Sequence, residues 1–320
     1  MNVLVTGGAG YIGSAVSAIL SRHGYGPVRL DVAPDPAPEM GPFVTADVRD
    51  LEAVAAAIRQ HNVTAVIHLA GYIAVGESVV EPLRYWDNNV RGAIMLLQAM
   101  EITGVRRMVF SSTAAVYGDP VKIPIPESHP IAPTSPYGRS KWAVEQILRD
   151  AADAGLIDYV ALRYFNAAGA MAGVPGERHE PETHLIPNVV AAAEGGPMLF
   201  VYGADYPTPD GTAVRDYVHV KDLAEAHVLA LRYLEREGPS GAFNVANSRG
   251  YSVLDVVKMV EASLKRDIPL RVSPRRPGDP STLVGSSDQA RNVLGWSPRH
   301  ETLESIIASV LGNAPSRGNR

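Results

Sequence analysis

A tyrosine and a lysine stand four residues apart in the stretch TSPYGRSKWAVEQIL, residues 134–148, at Tyr137 and Lys141. Four residues is just over one helical turn, so a helix would place both side chains on one face. An ammonium beside a phenol favours the phenolate and would lower the tyrosine pKa from its ordinary value of about 10. The pair is therefore a candidate acid/base for chemistry near neutral pH. An ordinary exposed Tyr–Lys contact has the same spacing, and only the rest of the chain can separate the two interpretations.

A glycine turn near the start of the chain is the second candidate site. In LVTGGAGYIG, the pattern G-x-G-x-x-G is formed by Gly8, Gly10 and Gly13, after a predicted strand and at the opening of a predicted helix. In that context the glycines permit a tight turn and a close approach of the backbone to a pyrophosphate at the helix N-terminus. The turn therefore predicts a dinucleotide site, whereas a merely flexible glycine loop would leave its placement unexplained.

Asp31 ends the second predicted strand, 23 residues after Gly8. A carboxylate at this position accepts hydrogen bonds from the adenine ribose and repels a 2′-phosphate. NAD is therefore the expected cofactor rather than NADP. The alternative is that Asp31 only caps a turn.

The elements that would position these residues alternate along the first half of the chain. Strands are expected at 2–6, 27–31, 63–70, 105–110 and 158–165, and helices at 11–24, 51–60, about 79–103 and 137–154. Buried strands that alternate with helices imply a parallel sheet covered on both faces. The predicted fold class is α/β: a Rossmann-type doubly wound parallel sheet with a smaller C-terminal substrate-binding α/β lobe.

After residue 165 the regular alternation of predicted strands and helices gives way to long predicted loops, and this change defines the expected domains. Residues 1–168 are predicted to form the NAD-binding domain, to which a later segment, about 214–250, returns. Residues 169–313 are predicted to form mainly the substrate lobe, and 314–320 a disordered tail with little to bury.

Composition excludes several functional classes. The 320-residue chain has 29 basic and 34 acidic residues, a net charge of −5, which gives no electrostatic reason to bind nucleic acid or an anionic membrane. It has no cysteine, so no disulfide, thiolate nucleophile or cysteine metal site is proposed. Neither a signal peptide nor an apolar run of roughly 20 residues is visible, so a cytoplasmic protein is expected.

Several motifs together carry a family resemblance. The glycine turn and Tyr137-x-x-x-Lys141 resemble the extended short-chain dehydrogenase/reductase family, and FSSTAAVYG (110–118), RYFNAAGA (163–170) and VRDYVHVKDLAEAH (214–227) are similar to its sugar-nucleotide branch. With SPYGRSK, PETHLIP and PRRPGD, the order and spacing of these motifs resemble the UDP-glucose 4-epimerases, also called UDP-galactose 4-epimerases, from about residue 2 to 310.

This resemblance implies an NAD-dependent isomerase with a UDP-hexose substrate. It would epimerise UDP-galactose and UDP-glucose at C4 through a 4-keto intermediate, with transient hydride transfer to bound NAD. It would also form a homodimer through the helices at about 79–103 and 137–154. The alternatives are a 4-epimerase of another UDP-sugar (UDP-xylose, UDP-arabinose or a uronate), an NAD-dependent sugar-nucleotide dehydrogenase or reductase, and a non-catalytic NAD-binding regulator.

The resemblance also implies residue roles. Tyr137 would be the acid/base, Lys141 would lower its pKa and bind the nicotinamide ribose, and Thr113 would share the proton hydrogen bond. The implied NAD contacts are Gly7, Gly8, Gly10, Tyr11, Ile12, Gly13, Asp31, Asp47, Val48, Leu69, Ala70, Gly71, Asn89, Thr113, Tyr137, Lys141 and Phe165. The implied substrate contacts are Thr113, Tyr137, Asn166, Leu185, Tyr202, Arg215, Arg276, Asp279 and Leu283.

Simpler interpretations of the substrate residues remain open. Arg215 could form a surface ion pair with Asp216, worth about 0–1 kcal/mol. Arg276, close to Asp279, could belong to a solvated loop, and Tyr202 could lie in the core. Arginine, however, is the side chain suited to bidentate phosphate binding, and two arginines converging on a diphosphate would explain both motifs.

Departures from related enzymes bear on specificity. Ala114 and Ala115 stand where the related 4,6-dehydratases place an Asp–Glu pair, which argues against dehydratase activity. Leu283 falls where some epimerases carry a bulky aromatic residue, so a side activity on UDP-N-acetylhexosamines is expected.

Histidines in the chain raise the question of a metal. His179 and His184 lie near Glu177, Glu180 and Glu182 in GERHEPETHLIP, a cluster that looks superficially like a ligand set. No metal site is expected, because the resemblance accounts for this segment as a substrate loop. His68 and His219 are expected to be buried at strand ends.

Overall fold

The structure is a computed structural model that describes residues 1–179, 181–276 and 278–313. Its strands are β1 Asn2–Thr6, β2 Gly26–Asp31, β3 Phe43–Thr45, β4 Val63–His68, β5 Arg107–Thr113, β6 Asp158–Tyr164, β7 Asn166–Ala168, β8 Leu199–Tyr202, β9 Val214–His219, β10 Gly241–Val245, β11 Gly250–Ser252, β12 Leu270–Ser273 and β13 Thr282–Leu283. Its α-helices are α1 Tyr11–Arg22, α2 Leu51–Gln60, α3 Val75–Val80, α4 Pro82–Tyr85, α5 Gly92–Thr103, α6 Pro136–Asp153, α7 Leu185–Ala193, α8 Val220–Glu235, α9 Val253–Leu264 and α10 Leu303–Asn313. Glu180 and the predicted tail, 314–320, lie outside the described residues.

A seven-stranded sheet forms the centre of the molecule, with the strand order β10-β6-β5-β4-β1-β2-β3. All neighbouring strands in it are parallel. The chain builds outward from β1 through β2 to β3, then crosses to β4 and builds outward in the other direction. Ligands of such sheets bind at the carboxyl ends of the strands that flank this reversal. The predicted doubly wound fold class is confirmed.

Helices cover both faces of this sheet because its strands are apolar on both sides. On one face Ile19 of α1 and Leu231 of α8 pack in a shared core. On the other face Ile58 of α2, Leu96 of α5 and Leu148 of α6 pack in a second core. Burial of apolar surface on both sides, at about 25 cal/mol per Å², fixes the sheet as a rigid platform for the residues at its edge.

Helix α6 begins where its sequence predicts. The Ser135 side chain caps it by accepting a hydrogen bond from the Gly138 amide at 3.1 Å. Pro136 occupies the first helical position, where its missing N–H costs nothing and its fixed φ is already helical. This start places Tyr137 and Lys141 in the first turns of the helix.

The helical stretch predicted at about 79–103 is interrupted near its start, where the sequence-based prediction is wrong. From Pro82 to Thr103 the chain is helical, as predicted. Helix α3 ends before Glu81, which has an extended φ of −120°. Pro82 then opens the short α4, because proline cannot continue the preceding hydrogen-bond ladder. A π-helical turn, Trp86–Arg91, joins α4 to α5.

The later part of the chain forms a second layer. Strand β9 pairs with β11, β13 and β7, and β8 pairs with β12. Helices α7, α9 and α10 pack beside these strands in one core that includes Ile186, Val257 and Ile306. Between these segments the chain re-enters the large sheet, where β10 pairs with β6 and α8 packs near α1.

No helix in the described part of the chain has both the length and the apolar composition to cross a bilayer.

Candidate active site

The glycine turn lies between β1 and α1 and is tightly packed. Gly7 has a φ of +73°, and a Cβ there would lie 2.8 Å from the backbone nitrogen of Ala70. A Cβ at Gly13 would lie 2.0 Å from the carbonyl oxygen of Gly7. The Gly10 amide donates to the same oxygen at 3.1 Å, which closes the turn just before the first residue of α1. Only glycine fits at 7 and 13, and the turn suits the close approach of a dinucleotide phosphate.

Asp31 ends β2 next to this turn. Its carboxylate accepts a hydrogen bond from the Ala9 amide at 3.1 Å and another from the Ala33 amide at 3.0 Å. The Asp31 side chain therefore both caps the turn that follows β2 and contacts the glycine turn. Binding of the adenine ribose by Asp31 stays a prediction, and the location of the carboxylate is compatible with it.

Asp47 and Val48 follow β3 and precede α2. The Arg49 guanidinium hydrogen-bonds the Asp47 carboxylate at 2.6 Å and holds the pKa of Asp47 below its usual range. Val48 is buried, and a Cβ at Gly92 would lie 2.9 Å from its Cγ1. Val48 is thus part of the packing beneath α5, and the adenine contacts of both residues stay predictions.

The end of β4 is joined to β1 by a buried polar cluster. Thr6 Oγ1 lies 2.7 Å from Nδ1 of His68, and the Thr6 carbonyl and hydroxyl accept hydrogen bonds from the amides of Leu69 and Ala70 at 3.1 and 3.3 Å. Burial lowers the pKa of His68 to about 3 and that of His219, at the end of β9, to about 4. The prediction that His68 and His219 are buried at strand ends is confirmed.

Gly71 is where the predicted cofactor and catalytic residues meet. A Cβ there would lie 3.2 Å from Oδ1 of Asn89 and 3.3 Å from Nζ of Lys141. Asn89 is only 3% exposed, and its side chain is fixed by the Tyr72 backbone at 2.8 and 3.1 Å and by the Ser140 hydroxyl at 3.1 Å. The absence of a side chain at 71 therefore leaves open the space in front of Asn89 and Lys141.

Thr113, Tyr137 and Lys141 come together at the carboxyl end of β5. Thr113 ends that strand, and its hydroxyl hydrogen-bonds Tyr137 and accepts from the Ala115 amide at 3.1 Å. Lys141 is 2% exposed, and its ammonium donates to the carbonyl oxygen of Ser111 at 2.9 Å. One strand end and one helix turn thus bring together a phenol, a hydroxyl and a buried lysine.

The predicted lowering of the Tyr137 pKa by Lys141 is wrong for this structure. Burial raises the pKa of Tyr137 above its ordinary value, and the hydrogen bond with Thr113 lowers it only in part. Burial also lowers the pKa of Lys141 to about 8. Desolvation disfavours the charged form of either side chain, and it is the largest cause of both shifts. A phenolate at Tyr137 therefore needs more stabilisation than Thr113 and Lys141 supply.

A buried ion pair that was not predicted from the sequence joins α6 to β6, one helical turn after Lys141. Glu145 of α6 accepts hydrogen bonds from the Arg163 guanidinium of β6 at 2.6 and 3.0 Å, and from the Ser112 hydroxyl. Arg163 also donates to the Tyr117 hydroxyl at 3.1 Å. A signal was present, because Glu145 is a charged residue one turn after Lys141 on the same helix face.

Arg215 lies on β9 and pairs with Asp279, not with its neighbour Asp216. Its guanidinium contacts the Asp279 carboxylate and donates to the Val214 carbonyl at 2.8 Å. Asp216 points to the opposite face of the strand, as neighbouring strand residues do. It is buried there and accepts from the Asn247 amide at 2.9 Å, and burial raises its pKa to about 7. The alternative interpretation of Arg215 as a surface partner of Asp216 is wrong.

Arg276 and Tyr202 contact each other through a cation–π interaction. The guanidinium carbon of Arg276 lies 4.0 Å from the ring centroid of Tyr202. Tyr202 is 36% exposed, so the alternative that places it in the core is wrong. Leu283 on β13 is paired in register with Arg215 and packs against a buried cluster that includes Phe165. Leu283 therefore links the Arg215 region to the end of β6.

Three further predicted residues lie directly after β6, at the start of β7 and at the start of α7. Phe165 follows β6, and a Cβ at Gly285 would lie 2.3 Å from its ring. Asn166 opens β7 and donates to the Asp216 carbonyl at 3.1 Å. Leu185 is half-buried as the first residue of α7. The ligand contacts of all three residues stay predictions.

Comparisons with known proteins agree with this geometry. A sequence profile of the NAD dependent epimerase/dehydratase family matches residues 3–246. The chain is 46% identical to the UDP-glucose 4-epimerase of Lacticaseibacillus casei, over 97% of this chain and 96% of that protein. It is 43% identical to the UDP-glucose 4-epimerase of Brucella ovis in a crystal structure with NAD, with a TM-score of 0.92 and coverage of 96% of each chain. The UDP-glucose 4-epimerase of Bifidobacterium longum, in a crystal structure with NAD⁺ and UDP, is 38% identical with a TM-score of 0.92 over 98% of each chain.

The profile match covers most of the chain, and the relatives are similar over nearly their whole length. The family predicted from the motifs and its dependence on NAD are thereby confirmed. The chain belongs to the NAD dependent epimerase/dehydratase family.

Proposed function

We propose that this chain is an NAD-dependent 4-epimerase that interconverts UDP-galactose and UDP-glucose. The observation that carries the proposal is the convergence of Thr113, Tyr137 and Lys141 at the carboxyl end of β5, beside a glycine turn suited to a dinucleotide. The same activity is named for relatives that are similar over almost the full chain.

The hydrogen on C4 of a hexose is not acidic, so it cannot be removed as a proton. Epimerisation therefore needs one acceptor for the proton of the 4-hydroxyl and another for the hydride on C4. Bound NAD supplies the place to which this hydride moves and from which it returns. Tyr137 takes the proton of the 4-hydroxyl in one half of the cycle and returns it in the other. Thr113 keeps the phenolic oxygen oriented, and Lys141 places a cation beside the site when protonated.

Inversion requires that the nucleotide be held while the sugar turns. Arg215 and Arg276 offer two guanidinium groups for a diphosphate, the ligand that a planar fork of donors fits best. The exposed ring of Tyr202 offers a face for a base. We infer that these residues hold the UDP end and that fewer directional contacts hold the sugar end.

Two neighbouring activities fit the site less well. A dehydratase needs a further acid and base next to Thr113, and Ala114 and Ala115 supply neither. A dehydrogenase would release reduced cofactor, whereas an epimerase shows no net redox change.

Proton NMR of the anomeric region, with purified protein, UDP-galactose and no added NAD, tests the proposal. We expect UDP-glucose to appear, with the same final ratio from either substrate. No conversion, even after NAD is added, would contradict the proposal.

We also propose that Leu283 admits a larger 2-substituent on the sugar. Leucine is smaller than an aromatic residue, and it lies on β13 next to Arg215 in the register of the sheet. Turnover of UDP-N-acetylglucosamine should therefore be detectable, and Leu283→Tyr should reduce it at least about 10-fold, a pocket effect of about 1–3 kcal/mol. UDP-galactose turnover is the control and should change much less. Equal loss of both activities would contradict this role.

We further propose a homodimer that forms through α3, α4 and α5. Several apolar side chains of this region are exposed, and Val80 and Leu83 are each 80% exposed. Val79 and Ile102 are also exposed. Exposed apolar surface is typical of interaction sites when its side chains adjoin one another. Leu83→Asp should shift the mass measured by light scattering from dimer to monomer, whereas Val121→Asp, at an 85% exposed site outside these helices, should not.

A further inference from the structure

The segment before α7 brings together two histidines and two glutamates. One imidazole nitrogen or carboxylate oxygen from each of Glu177, His179, Glu182 and His184 lies within 4.8 Å of the other three. We propose that these four side chains form a binding site for a divalent transition-metal ion, with Zn²⁺ as the best match. This differs from the sequence-based expectation, which treated the segment as a substrate loop without a metal.

The distances between the donor atoms fit a four-coordinate ion. Nδ1 of His179 lies 3.4 Å from Oε1 of Glu182 and 3.9 Å from Oε1 of Glu177. Bonds of about 2.0–2.2 Å in a tetrahedron keep the ligand atoms roughly 3.4 Å apart. Nδ1 of His184 hydrogen-bonds Glu177 directly, and this contact must lengthen to admit the ion. Small side-chain rotations are therefore enough to complete the coordination.

One donor atom lacks the partner that a metal would supply. Nδ1 of His179 is inaccessible to solvent and has no hydrogen-bond partner among the described residues, although it faces the carboxylates of Glu177 and Glu182. A buried polar atom left without a partner costs about 1–3 kcal/mol. An ion between the imidazole and the carboxylates would remove this cost.

The remaining contacts hold the donors in place. Oε1 of Glu182 accepts hydrogen bonds from the backbone amides of Thr183 and His184, each at 2.9 Å. The rings of His179 and His184 are nearly perpendicular, at 86°, with centroids 4.7 Å apart. Such supporting contacts orient ligands at metal sites.

The chemistry of the donors selects the class of ion. Imidazole nitrogens favour Zn²⁺ and neighbouring transition metals, whereas Mg²⁺ and Ca²⁺ prefer oxygen ligands alone. Two carboxylates neutralise the charge of a divalent ion in a partly buried place. Because His184 directly precedes Leu185, the bound ion would fix the start of α7. It has no part in the hydride or proton steps, and the inference does not depend on the proposed epimerase activity.

The test uses the full chain without an affinity tag, stripped with a chelator and titrated with Zn²⁺ against a chromophoric chelator. We expect one ion per chain. His179→Ala and Glu177→Gln should each weaken binding at least about 10-fold, since even loss of a supporting contact costs 10–100-fold. The control His61→Ala, at a histidine outside the cluster, should bind as the unaltered chain does. Circular dichroism checks that each variant is folded, and Glu182→Gln replaces any variant that is not.

Two further readouts decide the outcome. Zn²⁺ should raise the melting temperature of the unaltered chain and of His61→Ala, but not that of His179→Ala, because an ion that binds only the folded state stabilises it. Co²⁺ should give the strong visible absorption of a four-coordinate site. Less than one-fifth of an ion per chain, or equal binding by all variants, would overturn the proposal. Binding of Mg²⁺ in preference to Zn²⁺ would overturn it as well.

Discussion

At the scale of single residues, the hydroxyl of Thr113 is the contact that separates Tyr137 from an ordinary buried phenol. Burial alone raises the pKa of Tyr137, and the Thr113 hydrogen bond is the contact that counteracts it. Thr113→Val should therefore lower kcat about 10–100-fold, because a hydrogen bond to a charged group contributes about 1.5–3 kcal/mol. Thr113→Ser keeps the hydroxyl and should retain most of the activity. Steady-state rates on UDP-galactose measure both.

The control for Thr113 is cofactor content. NAD extracted from the denatured protein should be the same for both variants and for the unaltered chain, because the substitution acts on the proton and not on the binding cleft. If Thr113→Val turned over at the unaltered rate, Tyr137 would not depend on this hydroxyl.

Residue types and spacing predicted much of the site at this scale. The i,i+4 spacing of Tyr137 and Lys141 correctly placed both on one helix, which the structure positions beside Thr113. The direction of the Tyr137 pKa shift was not predictable in this way, because it depends on burial by residues far away in the sequence. The partner of Arg215 was missed for a related reason: Asp279 is 64 residues further along the chain.

At the scale of elements, α6 matters because it carries both Tyr137 and Lys141. The Glu145–Arg163 pair ties this helix to β6, and both side chains are buried. Glu145→Gln leaves the Arg163 charge without its partner and should reduce the free energy of unfolding by about 3–5 kcal/mol. Urea unfolding followed by circular dichroism measures the loss. The control, Glu101→Gln at an exposed position of α5, should change stability by less than about 0.5 kcal/mol.

The same substitution should also affect turnover in the molecules that remain folded. A displaced α6 moves Tyr137 away from the end of β5, so kcat should fall even at temperatures where Glu145→Gln is fully folded. A stable Glu145→Gln protein with unaltered kcat would show that the pair does not position the helix.

Elements with strong local signals were predictable, and elements defined by distant partners were not. The glycine turn, α2 and the buried strands β1, β2 and β6 lie close to their predicted places. The helix predicted to start at about residue 79 starts instead at Pro82, although proline is a known helix-start residue and is present in the sequence. Short strands such as β7 and β13 exist only because β9 supplies their hydrogen bonds, and their residues carry little preference of their own.

At the scale of the whole molecule, buried histidines make the fold sensitive to acid. Burial lowers the pKa of His227, on α8, to about 4, well below the unfolded value of about 6.5. Between these values the unfolded chain binds a proton that the folded chain does not, so stability falls as pH drops. His68 and His219 act in the same direction, and Asp216, whose pKa is raised to about 7, acts in the opposite one.

Replacement of His227 tests how much this one buried histidine contributes to the pH dependence of stability. Between pH 7 and pH 5 the unaltered chain should lose about 2 kcal/mol more stability than His227→Leu, which has nothing to titrate there. Urea midpoints at the two pH values measure the difference, with His61→Leu as a control that should behave like the unaltered chain. Parallel losses in the unaltered chain and His227→Leu would show that His227 is protonated in the folded state.

The return of the chain to its first sheet also limits how such a gene can be rearranged. Strand β10 and helix α8 complete the large sheet and its cover, yet they follow β9 of the second layer. A crossover that exchanged everything after residue 168 with a distant homologue would replace the edge strand beside β6 as well as the substrate contacts predicted for that part of the chain. An exchange of this contiguous half would therefore disturb the packing of the first sheet, whereas a point substitution at a predicted substrate contact would leave that sheet intact.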